Sequence, residues 1–159
     1  TSEIVREVWN GLQIADRQGP HHELYLAANE SALIEADDAL FKQLLRIFLD
    51  NAVKYTPEGR RIMLSATVTG AQYIVSIMDE GVGISEADLP NIFTRFYRVD
   101  SSRTKATGGT GLGLAIARDI IDMHNAAIEV TSELGSGTTF TITFPLLSED
   151  DSADISPEE

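Results

Sequence analysis

Four glycines fall within six residues of the segment 107–114, T-G-G-T-G-L-G-L, and an amphipathic run, 115–121, follows at once. Glycines let backbone N–H groups close on an oxyanion, and the positive end of a helix dipole favours that charge, so the chemistry suggested is phosphate binding. Residue type excludes two familiar cradles. A Walker loop needs Lys followed by Ser or Thr after its last glycine, where Leu114 and Ala115 stand, and the dinucleotide spacing counted from Gly111 and Gly113 puts Ile116 at the third glycine. At this point a plain turn between a strand and a helix remains the alternative reading of the loop.

Asp79 is the second candidate. Alternation along 72–80 puts Tyr73, Val75, Ile77 and Asp79 on one side of a strand, so a carboxylate prolongs an apolar row just before E-G-V-G-I at 80–84. Burying it is costly without donors. Either Asp79 caps its own turn, or it accepts from an amino group on a bound base, with glycine walls that admit a flat ring.

These residues need elements to hold them. Residues 3–17 place Ile4, Val5, Val8, Trp9, Leu12 and Ala15 at helical spacing, with Gly19-Pro20 as a stop. A short strand is expected over 23–28. A second helix, announced by Asp37-Asp38, runs to about Tyr55, burying Leu40, Leu44, Ile47, Phe48 and Ala52, and ends before Pro57 and Gly59. Period-two patterns then appear in 61–69 (Ile62, Leu64, Ala66, Val68), in 126–132 (Ile128, Val130) and in 137–144, where Thr138, Phe140, Ile142 and Phe144 oppose three threonines. A hairpin joins two strands at 69–72. Half-buried strands with three amphipathic helices predict an α+β fold, a two-layer sandwich rather than a doubly wound sheet.

The chain has 159 residues, 43% of them hydrophobic, and no cysteine, which suits one compact domain without disulfides or thiolate metal sites. The net charge of −13 argues against a nucleic-acid surface. Residues 148–159 carry six acids and no base, so they are expected to be a solvated tail outside a domain of 1–147. No run approaches the roughly 18 apolar residues of a membrane span and no leader-like pattern opens the sequence, so a soluble chain is expected, compatible with a reducing cytoplasm.

In order along the chain, D-N-A-V-K-Y-T-P (50–57), D-E-G-V-G-I (79–84), I-F-T-R-F-Y-R (92–98), G-G-T-G-L-G-L (108–114) and G-S-G-T-T-F (135–140) resemble the catalytic, ATP-binding domain of bacterial sensor histidine kinases. The resemblance covers roughly residues 1–147. It implies the Bergerat-type ATP-binding fold of the gyrase-type ATPases, a mixed, mostly antiparallel sheet with three main helices on one face, and it implies ATP and Mg as ligands.

Carried over residue by residue, the resemblance makes Asn51 the Mg ligand, and an amide oxygen is a hard donor that suits that ion. Lys54 would contact phosphate and Tyr55 would lie against the adenine, whose 6-amino group Asp79 would accept. Gly81, Gly83 and Ile84 would shape the base pocket, with Thr139 also contacting nucleotide. Gly109, Thr110, Gly111, Leu112 and Gly113 would bring backbone amides to the phosphates. Residues 99–110 would form a lid, anchored by packing of Phe93, Phe96 and Tyr97, and Arg98 or Arg103 would reach the terminal phosphate. Asn51, Lys54 and Arg98 form the implied catalytic set.

One departure stands out. The family usually carries a second Asn one helical turn before the Mg-binding Asn, and hydrolases of this fold carry a Glu there as general base; this chain has Ile47. The histidines are expected to be ordinary surface residues. His22-Glu23-Leu24 echoes the phospho-acceptor motif, yet no Arg/Lys-Thr-Pro follows. His124 is expected to set its charge against the end of the last helix, with Asn125 in the left-handed cap conformation.

The function implied is binding of Mg-ATP and donation of its γ-phosphoryl group to a histidine on a separate dimerisation and phospho-acceptor domain, upstream of a response regulator. The alternatives are a non-catalytic nucleotide sensor, or a serine kinase or ATPase of the same fold. The domain alone would be a cytoplasmic monomer; its parent would be a membrane-anchored homodimer.

Overall fold

Helix α1 (Ser2–Arg17) buries Val5, Val8, Trp9 and Leu12 along one stripe. In its last turn the inward position belongs to Asp16, not to Ala15, which is exposed. The computed structural model describes residues 1–19, 21–97 and 112–147. Helix α2 (Asp38–Tyr55) supplies the largest share of the helical core, with Phe41, Leu44, Leu45, Phe48, Leu49 and Ala52 inside and Leu40 and Ile47 packed at its margin. Helix α3 (Gly113–Met123) contributes Ala117, Ile120 and Ile121.

Among the described residues five strands form the sheet: β1 (Glu23–Asn29), β2 (Arg61–Thr69), β3 (Gln72–Asp79), β4 (Ala127–Glu133) and β5 (Gly137–Pro145). The sheet order is β1-β2-β3-β5-β4, with β1 parallel to β2 and every other pairing antiparallel. Gly70, at φ +60°, makes the tight turn between β2 and β3. The period-two rows are realised: Ile62, Leu64 and Ala66, then Tyr73, Val75 and Ile77, then Phe140, Ile142 and Phe144 are all buried on one face. The three α-helices among the described residues cover that face, which makes this the expected two-layer sandwich. Phe48 of α2 meets Phe140 of β5 with ring centroids 4.8 Å apart, fastening the helical layer to the sheet.

The ends of α2 and α3 are tied locally. Asp37 Oδ1 accepts from the Leu40 amide at 2.9 Å, an N-cap that satisfies one orphan donor of α2. Asp37→Ala is expected to lower stability by about 1 kcal/mol, measured as a shift in the denaturant midpoint at unchanged slope. The Asp37 amide in turn donates to His124 Nε2 at 3.2 Å, while His124 Nδ1 donates to the Ile120 carbonyl at 2.7 Å. The ring therefore bridges two helix ends through its two nitrogens. Asn125 does adopt φ +52°.

Candidate functional site

The row Tyr73, Val75, Ile77, Asp79 ends at a carboxylate that is only 5% exposed. Register explains why it is tolerated. Asp79 lies opposite Ile62 on one side and Thr138 on the other, and two backbone amides converge on its Oδ1: Gly81 at 2.9 Å and Thr138 at 3.3 Å. Burial pushes the carboxyl above the ordinary aspartate range, and these two bonds pull in the opposite direction without cancelling it. Oδ2 receives neither amide. The result is a fixed acceptor at the rim of the core.

The C-terminal end of α2 forms the adjoining wall. Tyr55 carbonyl accepts from the Val82 amide at 3.2 Å, which binds the loop after β3 to the helix end. Gly81 sits in that seam: a Cβ there would lie 2.6 Å from Tyr55 O and 2.7 Å from Asp79 Oδ1. Lys54 Nζ lies 5.7 Å from the centroid of the Tyr55 ring, within cation–π range. Asn51 is half-buried one turn earlier. One turn before that, Ile47 reaches towards Gly113, where a Cβ would be 3.7 Å from Ile47 Cγ2. The start of α3 thus sits beside the α2 face that carries Asn51 at i+4. Leu112 is the N-cap of α3 and makes no side-chain cap, so no such bond occupies the amides of its first turn.

A second hydroxyl network underlies the loop. Ser132 Oγ accepts from the Ile84 amide at 2.7 Å, donates to the Gly137 carbonyl at 2.9 Å and lies 2.8 Å from Thr138 Oγ1. Ile84 itself packs on the core. Gly83, at φ +75°, approaches the β4 end so closely that a Cβ would meet Glu133 O at 2.1 Å. The two neighbouring threonines at this end of β5 face opposite ways. Thr139 pairs with Met78 and Thr131 on the opposite face of the sheet, because the pleat alternates, and the threonine beside Asp79 is Thr138.

Two further expectations change. Phe93 does pack inward, edge-on to Phe140 at 6.4 Å, but Phe96 is 71% exposed at φ +64°, and Tyr97 is held by a hydrogen bond from its hydroxyl to Asp88 rather than by packing. His22 is not a surface histidine: its side chain is 2% exposed and bonded at both ring nitrogens. Arg98, Arg103, Gly109, Thr110 and Gly111, with the rest of the expected lid, lie outside the described residues. Among the described residues Asp79, Gly81, Gly83, Ile84 and Tyr55 come together, and Asn51, Leu112 and Gly113 lie along the α2–α3 seam.

The comparisons agree with this geometry. The family model described as histidine kinase-, DNA gyrase B-, and HSP90-like ATPase matches residues 36–148. Sensor histidine kinase YkoH of Bacillus subtilis (strain 168) is 47% identical over 115 residues, 72% of this chain and 25% of the relative. The chain thus spans about a quarter of that relative's length. The catalytic domain of histidine kinase ThkA superimposes with a TM-score of 0.76 at 27% identity, covering 91% of each chain. A structure of the same kinase with the response regulator protein TrrA gives 0.74 at 26% identity, over 91% of this chain and 40% of that one. ShkA in complex with AMPPNP gives 0.77 at 29% identity, over 92% of this chain and 30% of that one.

Proposed function

This chain belongs to the histidine kinase-, DNA gyrase B- and HSP90-like ATPase family, and from that premise we propose that it binds Mg-ATP and passes the γ-phosphoryl group to a histidine on a separate dimerisation domain. Residues 1–147 would be the catalytic unit, with the acidic 148–159 outside it. The observation that carries the reading is Asp79: a buried carboxylate pinned through one oxygen, at the end of an apolar row, beside a glycine seam. An adenine 6-amino group would donate to it, whereas the 6-oxo group of guanine would face it with like polarity.

The remaining roles follow the same division of labour. Tyr55 would lie against the base, Gly81, Gly83 and Ile84 would shape its pocket, and Lys54 and Arg98 would take phosphate charge. Backbone amides from Gly109 to Gly113 would hold the phosphates at the start of α3. Asn51 offers one hard amide oxygen, a donor that fits a Mg ion sharing its other positions with phosphates and water. When bound, that ion would neutralise charge on the phosphates. The chain's own part is positioning, because phosphoryl transfer asks little covalent work of protein groups. Ile47 supplies no general base for water, which favours transfer over hydrolysis. The parent protein would be a membrane-anchored homodimer signalling to a response regulator; no helix among the described residues is long and apolar enough to cross a membrane.

Calorimetric titration should show heat with Mg-ATP and none with Mg-GTP. Supplied with a histidine phospho-acceptor domain and γ-labelled ATP, the chain should yield acid-labile label on that domain. Absence of heat with every adenine nucleotide would overturn nucleotide binding; acid-stable label would indicate a serine kinase, and binding without transfer a sensor.

A further inference from the structure

Where α1 ends, Asp16 turns inward, and both its oxygens meet His22. Oδ2 accepts from the His22 amide at 2.9 Å, and Oδ1 lies 2.6 Å from His22 Nδ1. The other ring nitrogen, Nε2, is 2.8 Å from the carbonyl oxygen of Thr56, the C-cap of α2. Carbonyls at a helix C-terminus lack intrahelical partners and carry the negative end of the dipole. The pair is sealed from water, at 2% exposure for the histidine side chain and 7% for the aspartate.

Both ring nitrogens face oxygen acceptors, so the arrangement needs two protons on or between the groups. A carbonyl supplies none, so Nε2 must carry one. The contact between Nδ1 and Oδ1 needs the other, and Asp16, which already accepts an amide at Oδ2, is the natural carboxylate of the pair. Removing a proton sets lone pair against lone pair at one end of the ring. Either the tie to α1 or the tie to α2 is then lost.

The tie to α2 lies next to the nucleotide wall. Thr56 follows Tyr55, whose carbonyl holds the Val82 amide and closes against Gly81. We propose that His22, held as an imidazolium between Asp16 and the Thr56 carbonyl, is a positioning residue that fixes the α2 end and through it the base-binding loop after β3. The proposal rests on the nucleotide reading above and extends it to an anchor at the C-cap of the helix that forms the site's wall. From α1, the group facing the ring is Asp16; from α2, it is the Thr56 carbonyl and the helix's negative end. The charged residues in the adjoining connections and strands, Arg17, Glu23, Glu58, Arg60 and Arg61, are exposed, as is His21.

The sign is fixed by the geometry. Nucleotide affinity is greatest with both ring contacts in place and falls when either is removed. The test titrates the full chain with Mg-ADP, alongside His22→Phe, which keeps a ring and removes both donors, and Asp16→Asn. ¹⁵N NMR of the wild type follows the His22 ring nitrogens and the Val82 amide. His22→Phe should weaken Mg-ADP about tenfold, as expected for loss of a charged hydrogen bond, and should shift the Val82 amide resonance; Asp16→Asn should move both in the same direction. A bare ring nitrogen in the wild type, or wild-type affinity and an unmoved Val82 amide in His22→Phe, would overturn the proposal. If the wild type binds no adenine nucleotide at any pH, the nucleotide reading fails, and the Val82 amide alone decides the anchor. A shift of that amide in His22→Phe upholds it, and a stationary amide removes it.

Discussion

Asp79→Asn is expected to weaken Mg-ATP and Mg-ADP binding about 10- to 100-fold, which corresponds to the roughly 1.5–3 kcal/mol of a hydrogen bond to a charged group. The substitution is informative because it separates two duties of one side chain. Oδ1 accepts the Gly81 and Thr138 amides, and an asparagine oxygen can continue to do so. Oδ2, which takes neither amide, becomes an NH₂ that would point a donor at the adenine amino group. The fold should survive while recognition is lost.

Stability should move the other way. Burial holds the Asp79 carboxyl above the ordinary range in the folded chain, against the smaller opposing effect of the Gly81 and Thr138 amides. For a carboxyl raised on folding, the stabilising contribution is complete below the unfolded-state value and is lost as pH rises through the folded-state value. Asparagine has no such loss. The unliganded variant should therefore melt at or above the wild-type temperature at neutral pH and show a weaker pH dependence across the carboxylate range. Calorimetry with ADP and thermal melts over pH measure the two effects together. Unchanged affinity in a folded variant would reduce Asp79 to a cap for its own turn.

What could be read from residues alone depended on how local the cause was. The apolar rows of β2, β3 and β5, and the position of Asp79 at the end of one of them, follow from a period of two that acts between neighbours in sequence. Alternation also placed Thr138 in the inner row with Phe140, whereas the family-like motif pointed to Thr139; the pleat favours the first. His22 was beyond such reading. Its partners lie 6 and 34 residues away, and neither spacing carries a pattern. Ser132 was missed for the same reason, since its hydroxyl serves Ile84, 48 residues distant. Phe96 shows the opposite failure: an aromatic in a family-like motif invited a packing role, and its φ of +64° turns it outwards to 71% exposure. Ile47, an oddity against the family pattern, has a local physical use, since it fills the space beneath Gly113.

Gly137→Ala is expected to cost about 3 kcal/mol or more, from a backbone strain of about 1–3 kcal/mol and overpacking of about 1–3 kcal/mol. Gly137 opens β5 at φ +128°, and a Cβ there would lie 1.9 Å from the Asp79 carbonyl oxygen, 2.9 Å from its carbon and 3.0 Å from Glu80 Cα. All three are backbone atoms, so no side chain can swing away. Relief requires the β3 end to separate from the start of β5, which also draws the Thr138 amide from Asp79 Oδ1. Stability and nucleotide affinity should fall together. Gly59→Ala provides the contrast: Gly59 has φ +84°, yet nothing lies within 4 Å of a Cβ there. It should show only the strain, about 1 kcal/mol, with binding intact. Equal losses in the two variants, measured by denaturant unfolding, would mean that φ alone matters at Gly137. A larger loss confined to Gly137 would show that close approach of β5 to the end of β3 holds the carboxylate in place.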